Sequence, residues 1–233
     1  MNTKSWKEVW EDRRLDAQNG SVLTQLMTAD GLDTGFGSVG EEAWRTHVAR
    51  TAAALGITGD SSVFEVGCGA GAYLFDLYQA GCRVSGCDFS SALIEYAREV
   101  MPKGEWRVCE AIDIDETPQC DFVISSAAFL YFPSLQYASE VLMRMVNKAR
   151  RAVMILDLPD AAKQEAALAF RRGTLGEAAY AQKYQGLDHL YFDKRWFTNA
   201  LNATGVRRVL IEDQNIEGYG NSAYRFNAFG WLK

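Results

Sequence analysis

The stretch 62–73, Ser-Val-Phe-Glu-Val-Gly-Cys-Gly-Ala-Gly-Ala-Tyr, constrains the fold more than any other part of the chain. Val63, Phe64 and Val66 suit a strand buried on both faces. Gly67, Gly69 and Gly71 let the backbone turn sharply and come close to a ligand. The segment after them reads as a helix whose N-terminal end, with its free amides, points at the turn. A group bearing a carboxylate, a phosphate or a ribose is expected there. Which of these it is turns on Glu65 inside the strand and on Asp88 downstream.

The rest of the chain extends this unit. Residues 82–87 read as a second strand closed by Asp88, and 91–101 as a helix with Leu93, Ile94 and Ala97 facing inward. A third strand falls at 105–108, followed by an acidic loop at 110–116. A fourth strand spans 121–126, an apolar loop 127–133, a helix 135–148 and a fifth strand 152–158. Repeating strand–helix units of this length predict an α/β fold with a doubly wound, mostly parallel sheet. The rhythm then breaks. Residues 160–173 read as helical, 177–184 as a further helical stretch, and 189–192 as short and extended. Asp193 is placed to cap a helix over 194–203. Two strands, 206–211 and 222–232, joined through a glycine-containing loop, are expected to pair antiparallel.

Upstream, Trp6, Val9 and Trp10 mark one apolar helix face. Residues 19–37 carry several glycines, and 30–37 read as an irregular loop. Ser38-x-x-Glu41 has the form of a capping box for a helix ending at Gly56. The expected organisation is a helical extension or lid at 1–37 and a main domain at 38–233 with a cap insertion at about 159–196.

Several function classes are disfavoured at once. A net charge of −6 and the lack of a Lys/Arg cluster beyond short pairs argue against nucleic acid as a partner. No apolar run has membrane-spanning length, and the first residues lack the apolar core of a signal peptide. The expected compartment is the cytoplasm, with no membrane partner. The five cysteines include no CxxC pair, so neither a disulfide framework nor a zinc site is indicated.

Gly67-x-Gly69-x-x-Ala72, with Asp88 about twenty residues on, satisfies the dinucleotide fingerprint. Glu65 argues against it. A carboxylate in an apolar strand is costly without a partner; an ammonium or the turn amides can serve, whereas a pyrophosphate would be repelled. The C-terminal third also lacks the second βαβ half of a dinucleotide fold. Glu65-x-Gly67-x-Gly69-x-Gly71, Asp88, the loop 110–113, the strand 121–126 and Phe129-Leu130-Tyr131-Phe132-Pro133, taken in order, resemble the class I S-adenosylmethionine-dependent methyltransferases. The match covers roughly 40–158 by motif and the remainder by element order. The resemblance implies a seven-stranded Rossmann-like sheet with an antiparallel C-terminal strand and a helical cap. It implies S-adenosylmethionine as cofactor, S-adenosylhomocysteine as product, and binding by Glu65, Gly67, Gly69, Gly71, Asp88, Phe89, Ala111, Ile112 and Ser126. Asp88 suits the ribose, since one carboxylate can accept two hydroxyls.

The acceptor site is expected between the loop after the fourth strand, the cap and the N-terminal extension, with Trp10, Phe36, Phe129, Tyr131 and Tyr191 as candidate substrate contacts. Such an aromatic lining suits a small, partly apolar or aromatic metabolite. His189 is the candidate general base, with a packed structural histidine as the other reading. Residues 218–226, Gly-Tyr-Gly-Asn-Ser-Ala-Tyr-Arg-Phe, are either a glycine turn between edge strands or a polar rim touching the cap. No [Asn/Asp]-Pro-Pro-[Tyr/Phe] loop follows the fourth strand. Nor does that strand end in the acids of a catechol-type metal site, so the expected enzyme is metal-independent. Three other readings stay open: a nicotinamide-dependent oxidoreductase, a non-catalytic S-adenosylmethionine-binding regulatory protein, and a methyltransferase acting on protein or RNA, the last disfavoured for RNA by the acidic net charge.

Overall fold

The structure, a computed structural model, describes residues 5–13, 20–32 and 39–233. Seven strands form one sheet: β1 (Ser62–Val66), β2 (Arg83–Asp88), β3 (Glu105–Val108), β4 (Cys120–Ser126), β5 (Ala149–Pro159), β6 (Arg208–Asp213) and β7 (Arg225–Trp231). Their order is β3-β2-β1-β4-β5-β7-β6. The first five run parallel, and β7 lies antiparallel to both β5 and β6. The order reverses beside β1, leaving a crevice where the chain leaves β1 and β4 in opposite directions.

The helices are α1 (Trp6–Glu11), α2 (Val22–Ala29), α3 (Glu41–Leu55), α4 (Ala72–Gln79), α5 (Ser91–Val100), α6 (Leu135–Lys148), α7 (Gln164–Leu175), α8 (Glu177–Tyr184) and α9 (Lys194–Ala203). Central strands are apolar on both faces because both are covered. Val63, Phe122, Ile124 and Met154 pack on one side with Leu23, Trp44, Leu74 and Ile94. Phe64, Val66, Val123 and Ile155 pack on the other with Leu142, Met145, Phe197 and Leu201.

Three local expectations change. Helix α2 occupies part of the segment read only as glycine-rich. Ser21 caps it by accepting from Thr24 N, and Leu23, Leu26 and Met27 form its buried stripe. Helix α3 begins after Gly40, with no side-chain cap; Ser38 lies outside the described residues. Glu41 instead accepts hydrogen bonds from Ser21, Thr24 and Arg45. Residues Ser222–Tyr224 form a 3₁₀ turn, so β7 starts at Arg225. The helix over 194–203 is capped by Asp193 as expected, its carboxylate accepting from Arg195 N and Trp196 N.

Candidate active site

A cavity of about 250 Å³ sits at the C-terminal ends of β1, β2 and β4. Its floor is the glycine turn. Gly67, Gly69 and Gly71 take φ values of 69°, 53° and 91°, the left-handed region in which glycine carries no Cβ penalty. A Cβ on Gly67 would collide with Ala128, and one on Gly69 with Asp30. The turn is fastened to β2 by Gly67 N and Cys68 N, which both donate to Cys87 O at 2.8 and 3.0 Å.

Besides the half-buried Glu110, three carboxylates reach this cavity. Asp88 accepts from Gly69 N (3.0 Å) and Ser90 N (2.8 Å), one bond to each oxygen, and lines the wall at the end of β2. Burial raises its pKa against the pull of those amides. Glu65 is 2% exposed, and its Oε2 has no hydrogen-bond partner. Burial, then the charges of Asp30 and Asp88, hold its pKa well above the usual carboxylate range. Asp30 follows α2 and accepts from Ala70 N (2.6 Å) and Ala72 N (2.9 Å), the amides that open α4. Burial, with a smaller push from the charge of Asp88, lifts its pKa to about 7 against the pull of those two amides and of Arg13. The cavity is thus rich in buried acceptors whose pKa values are all raised.

This arrangement predicts a pH dependence. A carboxyl whose folded pKa lies above its unfolded value favours the folded state below the unfolded pKa, and that contribution disappears as pH rises through the folded value. Asp30 covers the range from about 4 to about 7, and Glu65 and Asp88 act in the same direction. The melting temperature of the ligand-free chain should therefore fall from pH 5 to pH 8, and Asp30→Asn should flatten that slope. An equal slope in the variant would remove Asp30 as its source.

Aromatic groups roof the cavity. Trp6, Lys7 and Trp10 of α1 line it together with Phe89, Tyr131 and Tyr137. Helix α1 is held down by a capping box between Ser5 and Glu8, by Trp6 Nε1 donating to Asp188 O (2.8 Å) and by Ser90 Oγ donating to Trp10 O (3.3 Å). Trp6 stacks on His189 at 4.7 Å and meets Tyr131 edge-on at 4.7 Å. Lys7 pairs with Glu110 at 2.8 Å and lies over Phe89. Trp10 Nε1 is a buried donor with no partner.

Of the residues expected at the cofactor, Glu65, Gly67, Gly69, Asp88, Phe89, Ala111 and Ser126 line this cavity. Gly71 and Ile112 do not. Gly71 is the residue before α4, turned toward Met101, and the Ile112 amide donates to Tyr137 Oη at 3.3 Å. Of the acceptor candidates, Trp10 and Tyr131 line it, while Phe36 lies outside the described residues.

Three other expectations are corrected. Phe129 is 1% exposed and packs against Phe132, Phe192 and Phe197, so it belongs to the core: an apolar loop residue and a pocket residue look alike in sequence. Tyr191 lies off the cavity, near Arg225. His189 also lies off it, with Nδ1 2.7 Å from Arg171 Nη1. A guanidinium only donates, so Nδ1 is the acceptor and its lone pair is taken. Desolvation, then Arg171 and Arg225, push the His189 pKa well below its usual value. Both effects work against a general base and favour the packed-histidine reading. Sequence reasoning missed Asp30, which belongs to no motif; only the tertiary placement of α2 brings it to the turn.

A family model described as a methyltransferase domain matches residues 63–153. No curated protein matches the chain by sequence. Among solved structures, the magnesium protoporphyrin IX methyltransferase of Synechocystis with bound S-adenosylhomocysteine is 17% identical, covering 98% of this chain and 92% of that one with a TM-score of 0.59. The N-methyltransferase NodS of Bradyrhizobium japonicum is 14% identical, covering 86% and 98% with a TM-score of 0.58. A possible exported protein from Bordetella parapertussis is 14% identical, covering 97% and 78% with a TM-score of 0.64. At these identities the likeness is one of fold. Among the described residues no helix is long and apolar enough to cross a membrane. With a methyltransferase-domain match over 63–153 that spans the glycine turn, and the seven-stranded sheet around that turn, the chain has the fold of the class I methyltransferases.

Proposed function

We propose that the chain methylates an oxygen or nitrogen atom of a small, partly apolar or aromatic metabolite, in the cytoplasm. The observation that carries this reading is the roof of Trp6, Trp10 and Tyr131 over the carboxylate-lined cavity. S-adenosylmethionine supplies an electrophilic methyl group on a sulfonium; its transfer to an acceptor lone pair breaks the carbon–sulfur bond, leaves S-adenosylhomocysteine as a thioether and releases the acceptor's proton. On this reading Asp88 holds the ribose hydroxyls. Glu65 Oε2 and Asp30 face the amino-acid end, where an ammonium supplies the partner that the buried carboxylate lacks. Phe89, Ala111 and Tyr137 bound the purine. The aromatic roof excludes water and orients the acceptor, which is most of what an already reactive donor requires.

The first test is thermal unfolding with S-adenosylhomocysteine and with NADH. A ligand at 100 times its dissociation constant adds about 2.7 kcal/mol, roughly 5–10 °C for a chain of this size. The shift is expected with S-adenosylhomocysteine only. A response confined to NADH would overturn the donor assignment. Turnover with a metabolite panel then separates an enzyme from a binding protein.

A further inference from the structure

Behind Tyr131, on the side away from the donor, lies a second group of polar residues that methyl transfer does not use. Its centre is the end of β5. The β5–β7 register slips between Ile155 and Leu158, and Asp157 sits in the slip with φ 59°, a conformation rarely adopted by a residue with a side chain and a frequent mark of a functional position. Asp157 is 7% exposed. One of its oxygens accepts from Gln214 Nε2 (2.7 Å) and the other from Tyr219 Oη (3.3 Å). With its oxygens engaged this way, it is only a distant partner for Arg225, whose Nε lies 3.9 Å away.

Arg225 is 3% exposed. Of its five N–H groups, one makes a hydrogen bond within the described residues, 3.4 Å to Asp157 O. A buried guanidinium held this loosely is under-satisfied. Two further donors in the group, Tyr191 Oη and Asn227 Nδ2, are buried with no partner, as is one acceptor, Gln214 Oε1. Arg171, 3% exposed, adjoins them through Asn221 Oδ1 (3.4 Å) and His189 Nδ1 (2.7 Å). The surplus is therefore of donors, and its strongest member is a cation. Tyr131 stands between the two: it lines the donor cavity and feels the charges of Arg225, Asp157 and Arg171.

We infer that Arg225, with Tyr191 and Asn227 beside it, receives a carboxylate on the methyl acceptor, so that the enzyme's substrates are small organic acids methylated at a second position. This rests on the methyl-transfer reading and names the substrate class within it. A planar carboxylate matches the guanidinium fork and the neighbouring hydroxyl and amide donors. A phosphate would bring up to two negative charges to a place where Asp157 already supplies one beside Arg225. A molecule anchored at Arg225 lies along Tyr131, which turns its far end toward the donor cavity. The segment 218–226, ambiguous in sequence between a turn and a polar rim, supplies Tyr219, Asn221 and Arg225 to this group.

The test uses the full chain with S-adenosylmethionine radiolabelled in the methyl group and a small-metabolite extract separated by ion exchange at pH 7. Label is expected in the anionic fraction, and amidating that fraction's carboxylates with carbodiimide and methylamine should abolish it. Arg225→Gln should raise the acceptor concentration for half-maximal labelling by about tenfold or more, Arg225→Lys should recover part of that loss, and S-adenosylhomocysteine affinity should stay within about twofold in both. Because Arg225 is buried, Tyr191→Phe is the second variant; it deletes one unpartnered hydroxyl without altering charge and should raise the same concentration about threefold or more. Label in a neutral or cationic fraction, label that survives amidation, or an unchanged concentration dependence in folded variants overturns the assignment. Intact S-adenosylhomocysteine binding with no label in any fraction overturns the methyl-transfer reading itself, and this assignment with it.

Discussion

Asp88→Ala should weaken S-adenosylhomocysteine binding by about 100-fold or more. The carboxylate holds Gly69 N and Ser90 N in place and still faces the cavity with acceptor capacity to spare. Two hydroxyl hydrogen bonds to a charged acceptor contribute roughly 3–6 kcal/mol together, and the lower figure already corresponds to a factor above 100. The truncation also frees the Gly69 amide, so the turn loses one of its ties to β2. Asp88→Asn keeps the shape and some of the acceptor capacity and should fall between the two. Calorimetric titration decides: an affinity within about threefold of the parent would mean that Asp88 holds the turn and not the ribose.

Phe129→Ala should cost about 3–5 kcal/mol of stability, the range for truncating a buried phenylalanine, and lower the melting temperature by roughly 6–20 °C. The ring is enclosed by Phe132, Phe192 and Phe197. Nothing of it reaches the cavity, so S-adenosylhomocysteine affinity measured well below the transition should stay within about twofold. The opposite pattern, normal melting with weakened binding, would return Phe129 to the pocket wall. The pair of variants separates two kinds of damage: one removes a ligand contact, the other a wedge beneath the loop that carries Tyr131.

The order of the strands, the glycine turn and the acids Glu65 and Asp88 were legible in the sequence because each rests on a local pattern: an apolar run, glycines at fixed spacing, an acid at a strand end. Asp30 was not, since its meaning depends on α2 folding back over α4, a contact between residues 40 and more apart. Helix α2 itself carried a readable signal, Leu23, Leu26 and Met27 behind Ser21, hidden by the glycines around it. The aromatic residues show the limit most plainly. Trp10, Phe129, Tyr131 and Tyr191 are indistinguishable as letters, yet two line the cavity, one fills the core and one lies beside Arg225. Side-chain direction on irregular loops is set by tertiary packing, which hydrophobic periodicity does not encode. Residues 218–226 were conspicuous in sequence, but only the register slip opposite Asp157 shows what they surround.

The reversed direction of β7 has a consequence for biosynthesis. Because β7 enters the sheet from the side where the parallel strands end, its first residue, Arg225, stands beside residues whose own strands were completed some 65 positions earlier. A growing chain thus has every strand of the donor half available once β4 and the loop after it have left the ribosome, but not the residues around Arg225 until some 65 positions beyond the end of β5 have followed. During that interval the eleven-residue ladder of β5 has one flank unpaired. It is apolar over most of its length and resembles the exposed edges along which incomplete chains associate. Messages truncated within 160–224 should therefore yield insoluble product, and not a smaller working enzyme.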